Sequence, residues 1–201
     1  MAEIVLLRHG DTTWSLERRH TGLTDLALTS GGEEQARHAA RLLAGRPFAL
    51  VLTSPLQRAR RTAELAGLSP VVTDDRLVEW DYGAYEGRTT AEIRRDEGAD
   101  WSIWTASVPP GATKGESLED VADRARGTLD RIRGALADGD VAVVAHAHLL
   151  RVLTACWIGR EAAAGAEFTL GAGSVSVLGD EHGRPVVVRW NLDATVTERL
   201  T

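Results

Sequence analysis

The sequence contains one cysteine, Cys156, one lysine, Lys114, and one methionine among 201 residues. A single cysteine excludes an internal disulfide framework and any zinc site built from several thiolates. It sits in the apolar stretch Leu149–Ile158 and reads as core. The scarcity of lysine leaves arginine as the working cation, a bias that a G+C-rich coding sequence produces. Aromatic residues make up only 5%. No apolar run approaches the roughly 18 residues needed to span a bilayer. The first such run, Ile4–Leu7, starts almost at the amino terminus and is too short for a signal-peptide core, so a cytoplasmic protein is expected. The chain also lacks excess positive charge. Its formal net charge is −6, so neither nucleic acid nor an anionic membrane is an expected partner. Hydrophobic residues at 43% and charged residues at 26% exclude collagen-like and largely disordered chains. The length fits a single domain over residues 1–201.

What is present alternates. Ile4–Leu7 is a continuous apolar run, as expected of a strand buried on both faces. Gly32–Leu43 reads as a helix with Ala36, Ala39, Ala40 and Leu43 on one face. Ala49–Thr53 is a second strand, and a helix is expected from near Pro55 through Leu65. Val71–Thr73 is a weak strand and Thr89–Arg95 a short helix. Ser117–Leu136 is the clearest helix, with a capping box from Ser117 to Asp120. Asp140–Ala145 is another buried strand, and Leu149–Ile158 another helix. Ser174–Leu178 and Pro185–Trp190 form a hairpin across Asp180–Gly183. Gly171-Ala172-Gly173 leads into a strand, so it is a turn and not a nucleotide loop. Repeated strand–helix alternation predicts an α/β sandwich with a largely parallel sheet. Such sheets bind ligands at the carboxyl ends of their strands.

Those ends carry chemistry. The first strand runs into Arg8-His9-Gly10. The second runs into Ser54-Pro55, with Arg58 one turn later. Asp140–Ala145 runs into His146, and Glu79 follows the weak third strand. Two guanidiniums suit the oxygens of a phosphate monoester. A neutral imidazole can attack phosphorus, and a carboxylic acid can protonate the leaving alcohol. A second histidine can donate to a phosphoryl oxygen. With two arginines to neutralise the group, no metal is expected.

Each residue alone also has a plain structural reading. A histidine at a strand end is more often a satisfied core residue, and Arg8 could snorkel to the surface. The run Arg58, Arg60, Arg61 could be a solvated helix face, which is the reading kept for Arg60 and Arg61. The constellation outweighs its members because all four positions follow expected strands. Loops near those ends add His20, Trp80, Tyr82, Tyr85, Trp101, Trp104 and His148 as candidate specificity residues. Trp101 and Trp104 lie three apart, as on one helical face, and could equally cap the core. The pair His146 and His148 lacks a nearby acidic cluster and is weak support for a metal site.

The stretch LLRHGDTTW resembles the Arg-His-Gly motif of the histidine phosphatase superfamily, which includes cofactor-dependent phosphoglycerate mutases. TSPLQRARRTAEL, LVEWDYGAYEG, GESLEDVADR and VVAHAHLLR follow in that family's order, so the likeness covers nearly the whole chain. It implies a three-layer α/β/α sandwich with a mostly parallel central sheet, phosphoglycerate mutase-like, and a phosphohistidine intermediate without a cofactor. His9 matches the nucleophile and Glu79 the proton donor. Arg8, Arg58 and His146 match the phosphate pocket. Thr21 and Gly22 match a loop that contacts the transferred phosphate, and Ser15 a position that is often Asn. The expected substrate-binding set is Ser15, Thr21, Gly22, His20, Tyr82, Ala147 and His148.

Three departures stand out. Ser15 is shorter than Asn and leaves room for water or a different substrate group. Asp11 occupies a position where Glu is common. Ala147 occupies one that is usually Gly, and would cost about 1 kcal/mol if the backbone there needed positive φ. The loop between Glu79 and Ser117 is too short for the insertion that shapes a mutase pocket. HTGLTDLALTSGGEEQ, EWDYGAYEG and AHAHLLRVLTACWIG resemble a phosphatase branch with mycobacterial acid-phosphatase-type and fungal sedoheptulose-1,7-bisphosphatase-type members. The expectation is a metal-independent phosphomonoesterase of small phosphorylated metabolites, sugar phosphates or bisphosphates. The alternatives are a cofactor-dependent phosphoglycerate mutase and a protein phosphatase or regulatory phospho-binding protein. A homodimer stays open, since a surface patch is not readable from sequence.

Overall fold

The computed structural model describes residues 2–193. In chain order the elements are β1 (Ile4–Arg8), α1 (Thr13–Leu16), α2 (Ser30–Leu43), β2 (Leu50–Thr53), α3 (Gln57–Leu65), β3 (Val72–Thr73), α4 (Thr90–Glu97), α5 (Leu118–Ala135), β4 (Val141–Ala145), α6 (Ala147–Trp157), β5 (Val175–Glu181) and β6 (Arg184–Leu192). The strands form one sheet in the order β3-β2-β4-β1-β5-β6. The first four in that order run parallel. β5 is antiparallel to β1, and β6 to β5.

The uninterrupted apolar runs of β1 and β4 have a simple cause. Successive side chains alternate across the sheet, and both faces are covered. Ile4, Leu6, Val141, Val143 and Ala145 pack with α5 and α6. Val5, Leu7, Ala142 and Val144 pack with α2 and α3. The result is the three-layer α/β/α sandwich. Among the described residues no helix is long and apolar enough to cross a membrane.

Element boundaries follow their caps. The capping box of α5 joins Ser117 and Asp120 as expected. α2 starts at Ser30, where the Thr29 hydroxyl accepts from the Gly32 amide. α3 starts only at Gln57, two residues past Pro55. The hairpin turn is tighter than expected. His182 and Gly183 alone form it, with φ of 54° and 79°, which matches the twist of the two strands. Trp101 and Trp104 lie in turns after α4, not on a helix face.

Candidate active site

β2, β4 and β1 lie side by side with their carboxyl ends together. The ladder continues one residue past the strands. The His9 amide donates to Ala145 O at 3.0 Å, and the Ser54 amide to Val144 O at 3.0 Å. His9, Ser54 and His146 therefore leave the sheet as neighbours, and the His9 and His146 rings meet edge to face with centroids 5.0 Å apart. Glycine is required at position 10. A Cβ there would lie 2.1 Å from the Gly32 carbonyl oxygen at the start of α2.

A cavity of about 320 Å³ opens over these strand ends, and Arg8, His9 and Glu79 line it. His9 Nδ1 lies 2.8 Å from Gly10 O. A carbonyl only accepts, so Nδ1 carries the hydrogen and Nε2 keeps its lone pair. Burial, with the Arg58 and Arg8 charges beside it, holds His9 well below the usual histidine value. The ring is thus a neutral, oriented base. Arg8 donates from Nη1 to Leu170 O at 2.5 Å. Its buried Nε has no hydrogen-bond partner among the described residues, as expected of a group that awaits an anion.

Glu79 is placed by the start of α6. Its Oε1 accepts from the Trp80 and Leu149 amides, each at 3.0 Å, and its Oε2 from the His148 amide at 3.1 Å. His148 and Leu149 are the second and third residues of α6, whose N-cap His146 gives no side-chain cap. Glu79 caps the helix from another segment. This cap lets α6 begin at Ala147, two residues earlier than its periodicity suggests. Ala147 is not among the residues at positive φ, so the penalty expected for alanine does not arise. Burial raises the Glu79 carboxyl above its ordinary value, against the pull of the three amides and Arg58. A shift in this direction favours the protonated form that a general acid needs.

Arg58 and His146 are neighbours under the strand ends. Neither lines the cavity; both are completely buried beneath it. Arg58 donates Nε to His146 Nδ1 at 3.2 Å, Nη1 to Thr24 O at 2.8 Å, and Nη2 to Thr21 O and Gly22 O at 3.2 and 2.8 Å. It clamps the 21–24 loop to the sheet. His146 Nδ1 accepts, so Nε2 carries the hydrogen and meets Ser54 Oγ at 2.8 Å. Ser54 was missed by sequence reasoning, although it follows β2 as the histidines follow β1 and β4. Arg58 makes no ion pair within 4 Å to any described residue. A buried cation held by carbonyls biases the cavity toward anions.

Gly22 departs from expectation. Its amide is taken by the Glu86 carboxylate at 2.9 and 3.0 Å and is not free for a ligand. Ser15 and Thr21 do line the cavity. The Ser15 hydroxyl is committed to Asp11 Oδ1 at 2.7 Å and to the capping box of α1. Thr21 Oγ1 donates to Arg19 O at 3.1 Å.

The remaining wall holds His20, Tyr82, Ala147, His148 and Thr90. Burial and nearby carboxylates raise the Tyr82 phenol well above its usual value. It keeps its proton and bonds to His148 Nδ1 at 2.6 Å, which leaves the His148 hydrogen on Nε2. Burial holds His148 well below the usual histidine value and His20 at about 4. This side of the cavity presents neutral polar groups. Trp80, Tyr85, Trp101 and Trp104 are not on the wall. They pack behind it: Trp104 against Trp80 and His148, and Trp101 against Tyr85 and His20. His146 and His148 serve separate networks. Among the described residues no group of three or more His, Cys, Asp or Glu is placed to hold a metal ion.

Sequence reasoning also missed Arg18 on the wall. α1 ends in a Schellman turn, with the Arg19 amide on Trp14 O at 2.9 Å and the Arg18 amide on Ser15 O at 3.1 Å. Arg18 takes the left-handed position, φ 58°, which glycine usually fills. A residue with a Cβ there costs about 1–2 kcal/mol.

Comparison with known proteins bears on the family and the fold. A family model described as histidine phosphatase superfamily (branch 1) matches residues 4–193. An acid phosphatase of Mycobacterium tuberculosis is 40% identical over 182 residues, covering 90% of this chain and 87% of that one. A sedoheptulose 1,7-bisphosphatase of Saccharomyces cerevisiae is 37% identical over 186 residues, covering 77% and 67%. A solved structure of a Mycobacterium tuberculosis open reading frame superposes with a TM-score of 0.90 at 37% identity, covering 96% of this chain and 98% of that one.

Proposed function

The chain belongs to the histidine phosphatase superfamily and is a phosphatase, and from that premise we propose that it hydrolyses small, sugar-like phosphate monoesters through a phosphohistidine on His9. One observation carries this reading. His9 Nδ1 is held by the Gly10 carbonyl, which leaves Nε2 as a free nucleophile on the same cavity wall as Arg8 and Glu79, whose carboxyl burial raises above its ordinary value.

The Nε2 lone pair attacks phosphorus as the bond to the leaving oxygen breaks. The Glu79 proton passes to that oxygen and the alcohol departs. Glu79, now a carboxylate, takes a proton from water. The hydroxide oxygen bonds to phosphorus, the Nε2–P bond breaks, and inorganic phosphate leaves with both residues restored. Arg8 grips the phosphoryl oxygens. Arg58 contributes its charge from beneath and holds His146 in place. His20, Tyr82 and His148 offer neutral hydrogen-bonding groups, which suit hydroxyls better than ions. The sugar assignment draws on this wall and on the name of the yeast relative.

The test is phosphate release from sugar phosphates, 3-phosphoglycerate and an aryl phosphate, with chelator present and His9→Ala protein as the blank. Release that vanishes in His9→Ala supports the reading. Primer-dependent isomerisation of 3-phosphoglycerate that far exceeds hydrolysis would make the protein a mutase. Action confined to phosphoproteins would overturn the small-molecule assignment.

A further inference from the structure

Among the described residues three guanidiniums line the cavity: Arg8, Arg18 and Arg19. Their commitments differ. Arg8 lies beside His9 at the end of β1. Arg19 is spent, with Nε on Glu17 at 2.6 Å and Nη1 on Gly87 O at 2.8 Å. Arg18 is exposed and its side chain has no hydrogen-bond or ion-pair partner among the described residues. Its backbone is nonetheless rigid, held in the left-handed position by the two bonds of the Schellman turn. Strain of this kind concentrates at functional positions. Here a cation replaces the glycine that the turn favours, and it lines the same cavity as Arg8, whose buried Nε has no hydrogen-bond partner among the described residues. Among the described residues Glu79 is the one carboxylate on the wall.

We propose that the substrate carries a second anionic group, a phosphate or a carboxylate on the same small skeleton, and that Arg18 receives it. The proposal rests on the phosphatase reading for the first phosphate. An ester with one anionic group satisfies Arg8 and leaves Arg18 unpaired. An ester with two satisfies both. The cavity, about 320 Å³, is at the small end of ligand pockets, so both anions belong to one compact molecule.

The test compares a glycerol monophosphate with a sugar bisphosphate and with 3-phosphoglycerate. For each, kcat/KM relative to the glycerol ester is measured in the wild type, in Arg18→Gly and in Arg95→Ala. Arg95 is an exposed arginine outside this cavity, so its variant controls for net charge. Arg18→Gly relieves the turn, so loss of folding is not expected to confuse the result. The expected outcome is a preference for one class of ester with a second anionic group, and that preference falls about tenfold in Arg18→Gly, the low end for a bond between charged groups. The loss appears in KM, and the class that loses names the anion. A preference unchanged in Arg18→Gly, or lowered equally in Arg95→Ala, overturns the proposal while the phosphatase reading stands. If no ester is turned over, that reading fails instead. Calorimetric Kd ratios for the same esters on His9→Ala protein, with and without Arg18→Gly, then decide on Arg18 by the same criterion.

Discussion

Glu79→Gln separates two jobs that one side chain performs. Glutamine keeps the shape of the carboxyl but turns one oxygen into an NH2 group. The oxygen that accepts from Trp80 and Leu149 can remain an oxygen. The amide nitrogen then faces the His148 N–H, donor against donor. One buried amide left unmet costs about 1–3 kcal/mol, which lowers Tm by about 2–12 °C in a domain of this size. The chemical loss is separate. Removing a general acid costs about 10²- to 10⁴-fold, or about 3–5 kcal/mol of barrier. That loss falls on alkyl phosphates, whose leaving oxygen needs the proton, and much less on aryl phosphates. The pH profile changes as well. Burial raises Glu79, and its protonated form is the active acid, so the wild-type alkyl rate falls as pH rises through that value. Glu79→Gln lacks this basic limb. The acid limb, where His9 gains a proton, stays. The assay is kcat on glycerol phosphate and on p-nitrophenyl phosphate across pH, at 25 °C, alongside thermal melts. Equal losses on both esters, or a basic limb that persists in Glu79→Gln, would refute the assignment of Glu79 as the acid.

His20 makes stability depend on pH. Folded His20 stays neutral down to about 4, whereas the unfolded imidazole gains its proton near 6.5. Its contribution is therefore whole above 6.5 and lost as pH falls toward 4, by up to about 3 kcal/mol. Denaturant unfolding at pH 7 and pH 4.5 measures this, and His20→Phe should reduce the difference by up to about 3 kcal/mol, leaving the part that the other buried histidines contribute; an unchanged difference counts against it. Ala147→Gly restores the residue usual in the family but should not stabilise this protein, because Ala147 already has helical backbone at the start of α6. A rise in Tm of several degrees in that variant would show that alanine is strained there.

Much of this was legible in one dimension. The runs at Ile4–Leu7 and Val141–Ala145 are apolar without interruption because both sheet faces are covered, and that pattern is local to the chain. Arg8, His9, Glu79 and His148 reach the cavity as their positions after strands and at the start of α6 suggest. Depth was not legible. Periodicity says that Arg58 lies on α3, but not that the 21–24 loop folds over it and consumes its donors. Nothing along the chain near Gly22 shows that Glu86, 64 residues away, takes its amide. Trp101 and Trp104 had helical spacing without a helix. The helix start at Ala147 depends on a carboxylate supplied from residue 79. Hydrophobic alternation is set by neighbours along the chain, so the sequence by itself determined the layers and the strand ends. Which donors remain free at those ends depends on acceptors brought from distant segments, and only the tertiary structure decided that.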